Sequence, residues 1–196
     1  RFMRYGHQKP VGEPLSGAEG FQQSDFEKNT LYHIIPSDQG ILLLLAEDGR
    51  LLANMPPYEL EAGGVAGMVP GRQGGSFLYW TKDFVKTAGV VRSEGEGKRI
   101  ETAVTFADTG DIKQCSWFID EAHIVCNDND RAFLLELEPQ GENHKEVLFN
   151  IKKGSGVSYD PANGCAYYLD EKGVLREGCA FSEPAPLKKL PEKASE

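Results

Sequence analysis

The side chains that could do chemistry are few and scattered along this chain of 196 residues. Of its four histidines, His33 and His123 fall at or near predicted strands, while His7 and His144 fall in predicted loops. No Gly-x-Ser-x-Gly motif is present, so a serine hydrolase would need another arrangement of its nucleophile. The sequence therefore assigns no catalytic residue and does not favour an enzyme.

Two polar segments invite a metal or phosphate interpretation. Residues Asn127–Asp130 read NDND and offer hard oxygen ligands, but they lack the Gly and distal Glu of a loop calcium site. Residues Gly71–Gly75 read GRQGG, but they join two predicted strands, whereas a phosphate loop leads from a strand into a helix. Both patterns are typical of tight turns, so we expect no metal and no cofactor.

The four cysteines predict two disulfide bonds. Cys115 and Cys126 are equally distant from a turn centred on Asp120–Glu121, which makes them cross-strand partners. Cys165 and Cys179 are related in the same way about Lys172. Two such pairs favour an oxidising compartment, and hence a periplasmic, cell-surface or secreted protein. The alternative is four buried free thiols in a cytoplasmic protein.

Aromatic side chains are the remaining candidates for binding. Most of those in predicted strands should fill the core, because neighbouring residues of a strand point to opposite faces. Trp and Tyr are also favoured where a ligand needs contact area. We therefore take three of them as candidate binding residues: Trp80, Trp117 and Tyr168.

The elements that carry these residues form a repeat. Four segments share the order of apolar stretch, turn, strongly apolar stretch, turn and third stretch. They read HIIPSDQGILLLLAEDGRLL from His33, AGMVPGRQGGSFLYWTKDFVK from Ala66, CSWFIDEAHIVCNDNDRAFLLEL from Cys115, and GVSYDPANGCAYYLDEKGVLRE from Gly156. Their central runs recur at intervals of about 36, 47 and 42 residues. The runs are continuous or alternating and rich in β-branched and aromatic residues, which predicts strands and not helices.

A fourth strand is expected after each of the first three copies, at Tyr58–Glu61, Arg99–Phe106 and Glu146–Ile151. Four-stranded units around an axis make a β-propeller. The clearest copy, Val157–Glu177, has an apolar strand ending in Asp-Pro, an Asn-Gly turn and an alternating strand. With these features the repeats resemble the β-propeller repeats of the WD-repeat, NHL and TolB-like kinds. The Trp-Asp dipeptide and the NHL signature are absent. The resemblance implies an architecture and leaves the function open.

The predicted fold class is therefore all-β, with either a propeller of about four four-stranded blades or a four-blade part of a larger one. Residues 1–27 are expected to form an N-terminal arm and residues 184–196 a flexible tail rich in Pro and charge. Residues 28–183 should form the repeats, with blades at about 30–61, 63–107, 111–152 and 155–182. The fourth copy lacks a clear outer strand. The arm, around Phe21–Phe26, or a strand from a partner could complete it, and an oligomer is another possibility.

Charge and hydropathy limit the partners. The formal charge of −9 argues against a nucleic acid, because phosphate binding depends on clustered Lys and Arg. The longest apolar run, Ile41–Ala46, is far shorter than the roughly 20 residues of a membrane helix. A partner protein is expected. Three functions stay open: a non-enzymatic protein-binding or scaffold module, a propeller that binds a small ligand or carbohydrate, and an enzyme whose site is assembled across blades.

Overall fold

The structure is a computed structural model of the chain, and it consists of antiparallel sheets. It describes residues 3–6, 9–14, 20–21, 26–27, 30–36, 40–71, 75–93, 95, 97–107, 110–120, 122–137 and 144–179. Four small sheets follow one another in sequence as the blades of a four-bladed β-propeller, and a separate two-stranded hairpin precedes them. The described residues contain no α-helix. The predicted all-β propeller is confirmed.

Each of the first three blades has four strands, paired in sequence order. Blade 1 consists of β3 (Tyr32–Pro36), β4 (Leu42–Ala46), β5 (Leu51–Ala53) and β6 (Glu59–Glu61). Blade 2 consists of β7 (Gly67–Pro70), β8 (Ser76–Trp80), β9 (Phe84–Ser93) and β10 (Gly97–Ala107). Blade 3 consists of β11 (Gln114–Trp117), β12 (His123–Asn127), β13 (Arg131–Glu136) and β14 (Lys145–Asn150). Blade 4 consists of β15 (Val157–Asp160), β16 (Cys165–Leu169) and β17 (Leu175–Gly178).

One acidic residue fixes the turn between the second and third strands in blades 1, 3 and 4. In blade 3, Asp128 Oδ1 accepts the backbone N–H groups of Asp130 and Arg131, and Oδ2 accepts the Arg131 guanidinium at 2.8 Å. Asp48 binds Arg50 in the same way in blade 1. Asp128 of the NDND segment thus binds groups of its own turn through both carboxylate oxygens, as is typical of Asp in tight turns.

Apolar side chains join consecutive blades. Leu43, Leu51 and Ile41 of blade 1 pack with residues of blade 2, including the fully buried Phe77. Larger clusters then join blade 2 to blade 3, and blade 3 to blade 4. These clusters are the core of the molecule, because alternation along each strand supplies one apolar side to each neighbouring blade.

Two disulfide bonds are present, as the sequence predicts. They join Cys115 to Cys126 and Cys165 to Cys179, and the Cα–Cα distance is 4.1 Å in both. The residues directly opposed in β11 and β12 include the first pair. The first bond lies in the core between blades 2 and 3, and the second lies on blade 4.

The N-terminal segment holds a hairpin that the sequence did not indicate, with β1 (Met3–Gly6) paired to β2 (Lys9–Pro14). Further along, the Phe26 ring meets the Tyr32 ring edge-on at 5.4 Å. Glu27 also forms an ion pair with Arg50 at 3.1 Å. The described residues around Phe26 therefore lie against the side of blade 1 that faces away from blade 2.

Among the described residues there is no helix both long and apolar enough to cross a membrane.

Candidate functional site: the open face of blade 4

Blade 4 differs from the other three blades because its sheet has three strands among the described residues. One side of this sheet packs against blade 3 through Val157, Tyr159, Ala166 and Tyr168. Strand alternation turns the opposite side chains away from blade 3. We name this second side the open face, and it consists of Ser158, Tyr167, Leu169, Leu175, Glu177 and the Cys165–Cys179 disulfide.

The same position can be compared in all four blades, because one backbone hydrogen bond closes each turn between the second and third strands. These bonds run from Ala46 N to Arg50 O, from Thr81 N to Phe84 O, from Asp128 N to Arg131 O, and from Asp170 N to Val174 O. The next residues are Leu51, Val85, Ala132 and Leu175. The first three are 0% exposed against the following blade, whereas Leu175 is 70% exposed. The following blade therefore buries this apolar position in blades 1, 2 and 3, whereas in blade 4 the position is exposed.

The backbone of β17 is open at the outer edge of the sheet, in the plane of the strands and perpendicular to the side chains of the open face. Residues of an antiparallel strand bond alternately to one neighbour and the other. The Asp170–Val174 bond sets this alternation, so Arg176 and Gly178 bond to β16, while Leu175 and Glu177 turn their N–H and C=O groups outward. In blade 3 the corresponding outward groups of β13 bond to β14. An added strand would find the same donors and acceptors on β17.

The side chains around this edge are held in place by hydrogen bonds and by the ion pair between Asp170 and Arg176. The hydroxyl of Tyr167 donates to Glu177 Oε1 at 2.9 Å, and Asn163 Nδ2 donates to that hydroxyl at 3.3 Å. The N–H of Val174 and the guanidinium of Arg176 lower the pKa of Asp170 below its ordinary value. The edge therefore presents apolar Val174 and Leu175 beside a carboxylate at neutral pH.

A second concave region lies where the linkers between blades meet the turn of blade 2. We name it the rim cleft; its volume is about 420 Å³. Its charges balance, since Lys113 pairs with Asp111 at 2.5 Å and Lys82 lies 4.0 Å from Asp83. Phe84 is the aromatic member of its wall. The wall consists of Gly63, Gly64, Ala66, Thr81, Lys82, Asp83, Phe84, Asp111, Ile112 and Lys113.

A polar network beside the rim cleft ties blade 1 to blade 2. Lys86 Nζ lies 2.9 Å from Glu61 Oε2 and 4.3 Å from the centre of the Phe84 ring. Burial is the largest single effect on the pKa of Lys86 and would lower it, but the hydrogen bond that Lys86 donates to Glu61 and the interactions with Glu61 and Tyr79 together outweigh burial, so the pKa is raised. Burial raises the pKa of the neighbouring Tyr79, because it disfavours the charged phenolate. The lysine therefore stays charged, which suits an ion pair between blades and not a proton carrier.

The three aromatic residues that the sequence marks for binding lie in or beside the core. Trp80 and Trp117 are 5% and 7% exposed in the cluster between blades 2 and 3. Tyr168 is half-buried, and its ring stacks on Phe149 with centroids 3.9 Å apart. None of the three lines the rim cleft or belongs to the open face. A binding role for them stays a prediction.

The residues that sequence reasoning missed are Leu175 and Glu177. Two features of the sequence point to Leu175. It stands where the third strands of the other copies have the apolar residues Leu51, Val85 and Ala132, and no clear fourth strand follows it. The exposure of Leu175 and Glu177, however, depends on what packs beside blade 4, and the sequence does not specify that.

Comparison with known proteins agrees with the fold and goes no further. No protein-family model matches the chain, and no curated protein matches it. Among solved structures, the chain is similar to a "putative 6-phosphogluconolactonase" from Bacteroides fragilis, with a TM-score of 0.51 and 10% sequence identity. The similarity covers 85% of this chain and 58% of that one. At this identity the likeness shows the propeller fold alone and names no specific repeat family.

Proposed function

We propose that the chain is a non-enzymatic protein-binding β-propeller, a scaffold component of a larger assembly, and that a partner protein docks on the open face of blade 4. The observation that carries the proposal is the 70% exposure of Leu175, at a position where the other three blades are sealed. Val174, 48% exposed, lies next to Leu175 at the same edge of the sheet. Exposed apolar groups on an unpaired sheet edge mark a binding surface or an aggregation hazard.

The partner contributes a β-strand to the edge of β17. Such strand addition takes its affinity from main-chain hydrogen bonds and its specificity from alternate side chains. The strand bonds to the outward groups of Leu175 and Glu177, and its apolar side chains on the same side of the sheet pack beside Leu175. The two disulfide bonds are compatible with an extracellular location for this assembly.

A photo-crosslinking experiment tests the proposal. A photoreactive benzoylphenylalanine replaces Leu175 in the cells that make the protein, and a matched control places it at Val147, which is 48% exposed on the outer strand of blade 3. We expect one discrete adduct with another protein from position 175 and none from position 147. The variant Glu177→Pro, which removes an outward N–H and keeps the backbone bonds to β16, should weaken that adduct, whereas Glu177→Ala, which removes only the side-chain bond to Tyr167, should not. No adduct at 175, or equal adducts at both positions, would overturn the proposal.

Binding of a small neutral ligand in the rim cleft is the second candidate function, and the balanced charges around Phe84 favour it. An aromatic ring beside paired charges suits a sugar, whose apolar face stacks while its hydroxyls bond. A glycan array with the purified protein tests it, with Phe84→Ala as the variant expected to lose binding. The solved neighbour carries the name of a lactonase, so hydrolysis of 6-phosphogluconolactone is a useful parallel assay; turnover would favour an enzyme instead.

A further inference from the structure

Two cysteines and a carboxylate come together on the open face. The Sγ atoms of Cys165 and Cys179 and a carboxylate oxygen of Glu177 all lie within 4.8 Å of one another. The two sulfur atoms are joined in a disulfide bond. Once reduced, they would offer two thiolates beside one carboxylate, a ligand set that zinc and similar thiophilic cations accept.

The other disulfide provides an internal contrast. Cys115 and Cys126 are each 1% exposed and lie in the core between blades 2 and 3. Cys179 is exposed, and its partner Cys165 is 6% exposed. Thiol–disulfide exchange needs access of an attacking thiolate to one sulfur atom. The bond on the open face is therefore the one that a reductant reaches while the protein stays folded.

We propose that Cys165–Cys179 is a reducible disulfide, and that its reduced form binds one thiophilic divalent cation through Cys165, Cys179 and Glu177. An external dithiol supplies the two electrons and two protons: it becomes a disulfide, and the protein gains two thiols. The cation then replaces the two thiol protons, which leave to solvent. Three protein ligands leave a fourth tetrahedral position for water.

Tyr167 is the positioning residue of this site. Its hydroxyl donates to Glu177 Oε1 at 2.9 Å, and Asn163 Nδ2 contacts the hydroxyl oxygen at 3.3 Å. Asn163 Oδ1 also accepts the backbone N–H of Cys165 at 2.9 Å. One short chain of hydrogen bonds thus connects two of the three ligands. Such supporting contacts typically change metal affinity by about 10–100-fold.

The first measurement is native reduction with a phosphine or dithiol, followed by alkylation and peptide mapping. We expect alkylation at Cys165 and Cys179 while Cys115 and Cys126 stay bonded, with an unchanged far-ultraviolet circular dichroism spectrum. Equal reduction of both bonds, or reduction only after unfolding, would contradict the proposal. The pair Cys165→Ser and Cys179→Ser checks that the protein folds without this bond, since its circular dichroism should match that of the parent.

The second measurement titrates Zn²⁺ into the selectively reduced protein by calorimetry. We expect one equivalent to bind, none to bind to the oxidised protein, and the affinity to fall about 10–100-fold in Tyr167→Phe. Glu177→Gln should lower the affinity, whereas the control Glu171→Gln, an exposed carboxylate in the same blade, should not. Unchanged affinity in both Glu177→Gln and Tyr167→Phe would mean that the thiols bind metal alone and would overturn the assigned site.

Discussion

Truncating the equivalent leucines of blades 1 and 4 should have very different costs. Leu51 is 0% exposed in the cluster between blades 1 and 2, so Leu51→Ala should lower the free energy of unfolding by about 2–5 kcal/mol. Leu175 is 70% exposed. Leu175→Ala removes three carbon groups worth about 0.8 kcal/mol each when fully buried, so at this exposure the cost should be about 0.7 kcal/mol.

Urea unfolding followed by tryptophan fluorescence measures both values, because Trp80 and Trp117 are buried and should change their emission on unfolding. The midpoint should shift strongly for Leu51→Ala and little for Leu175→Ala, with similar slopes. A cost of about 2 kcal/mol or more for Leu175→Ala would mean that the open face is covered in solution, which contradicts the exposure of Leu175. A cost that rises with protein concentration would identify a second copy of the chain as the cover.

Further outcomes follow from the turns. Burial opposes ionisation of Asp128, but the N–H groups of Asp130 and Arg131 prevail and hold its pKa below the ordinary 3.8. The stability that the Asp128 carboxylate contributes is fully present above pH 3.8 and is lost as the pH falls through the lowered pKa. Asp128→Asn should therefore cost about 1–3 kcal/mol at pH 7 and make the loss of stability below about pH 4 less steep. Melting temperatures measured across an acid titration would show both effects. Gly49 has φ of +84° and an added Cβ would lie 2.5 Å from a backbone nitrogen of the next linker, whereas Gly40 has φ of +77° and open space. Gly40→Ala should therefore cost about 1–2 kcal/mol and Gly49→Ala clearly more, by chemical denaturation, and equal costs would contradict the packing of that turn.

Repetition explains why so much of the fold could be predicted from the sequence. Apolar runs bounded by turns place the strands, and strand register follows from the turn centres, as the directly opposed Cys115 and Cys126 show. The fourth strands were harder to place. The sequence indicated β14 at Glu146–Ile151, and the structure has it at Lys145–Asn150, because strand ends depend on what packs around them.

The candidate site could not be predicted in the same way. Trp80 and Trp117 are aromatic residues in strands, and sequence alone does not tell a core aromatic from an exposed one. Whether a leucine at this position is exposed depends on what packs against its blade. Leu175 and Leu51 are the same residue type, but Leu51 is covered by blade 2 and Leu175 is not covered. The role of Glu177 beside the cysteines depends on cross-strand geometry between β16 and β17.

Residue-resolved hydrogen exchange of the isolated protein shows whether the outer edge of β17 is free to accept a strand, because it measures the protection of each amide. We expect alternation along this strand: the amides of Arg176 and Gly178, bonded to β16, exchange slowly, while those of Leu175 and Glu177 exchange at nearly the rate of free peptide. In β13, which has a strand on both edges, neighbouring amides should all be protected. Protection of Leu175 and Glu177 as strong as that in β13 would mean that blade 4 already has its fourth strand and would contradict a docking edge.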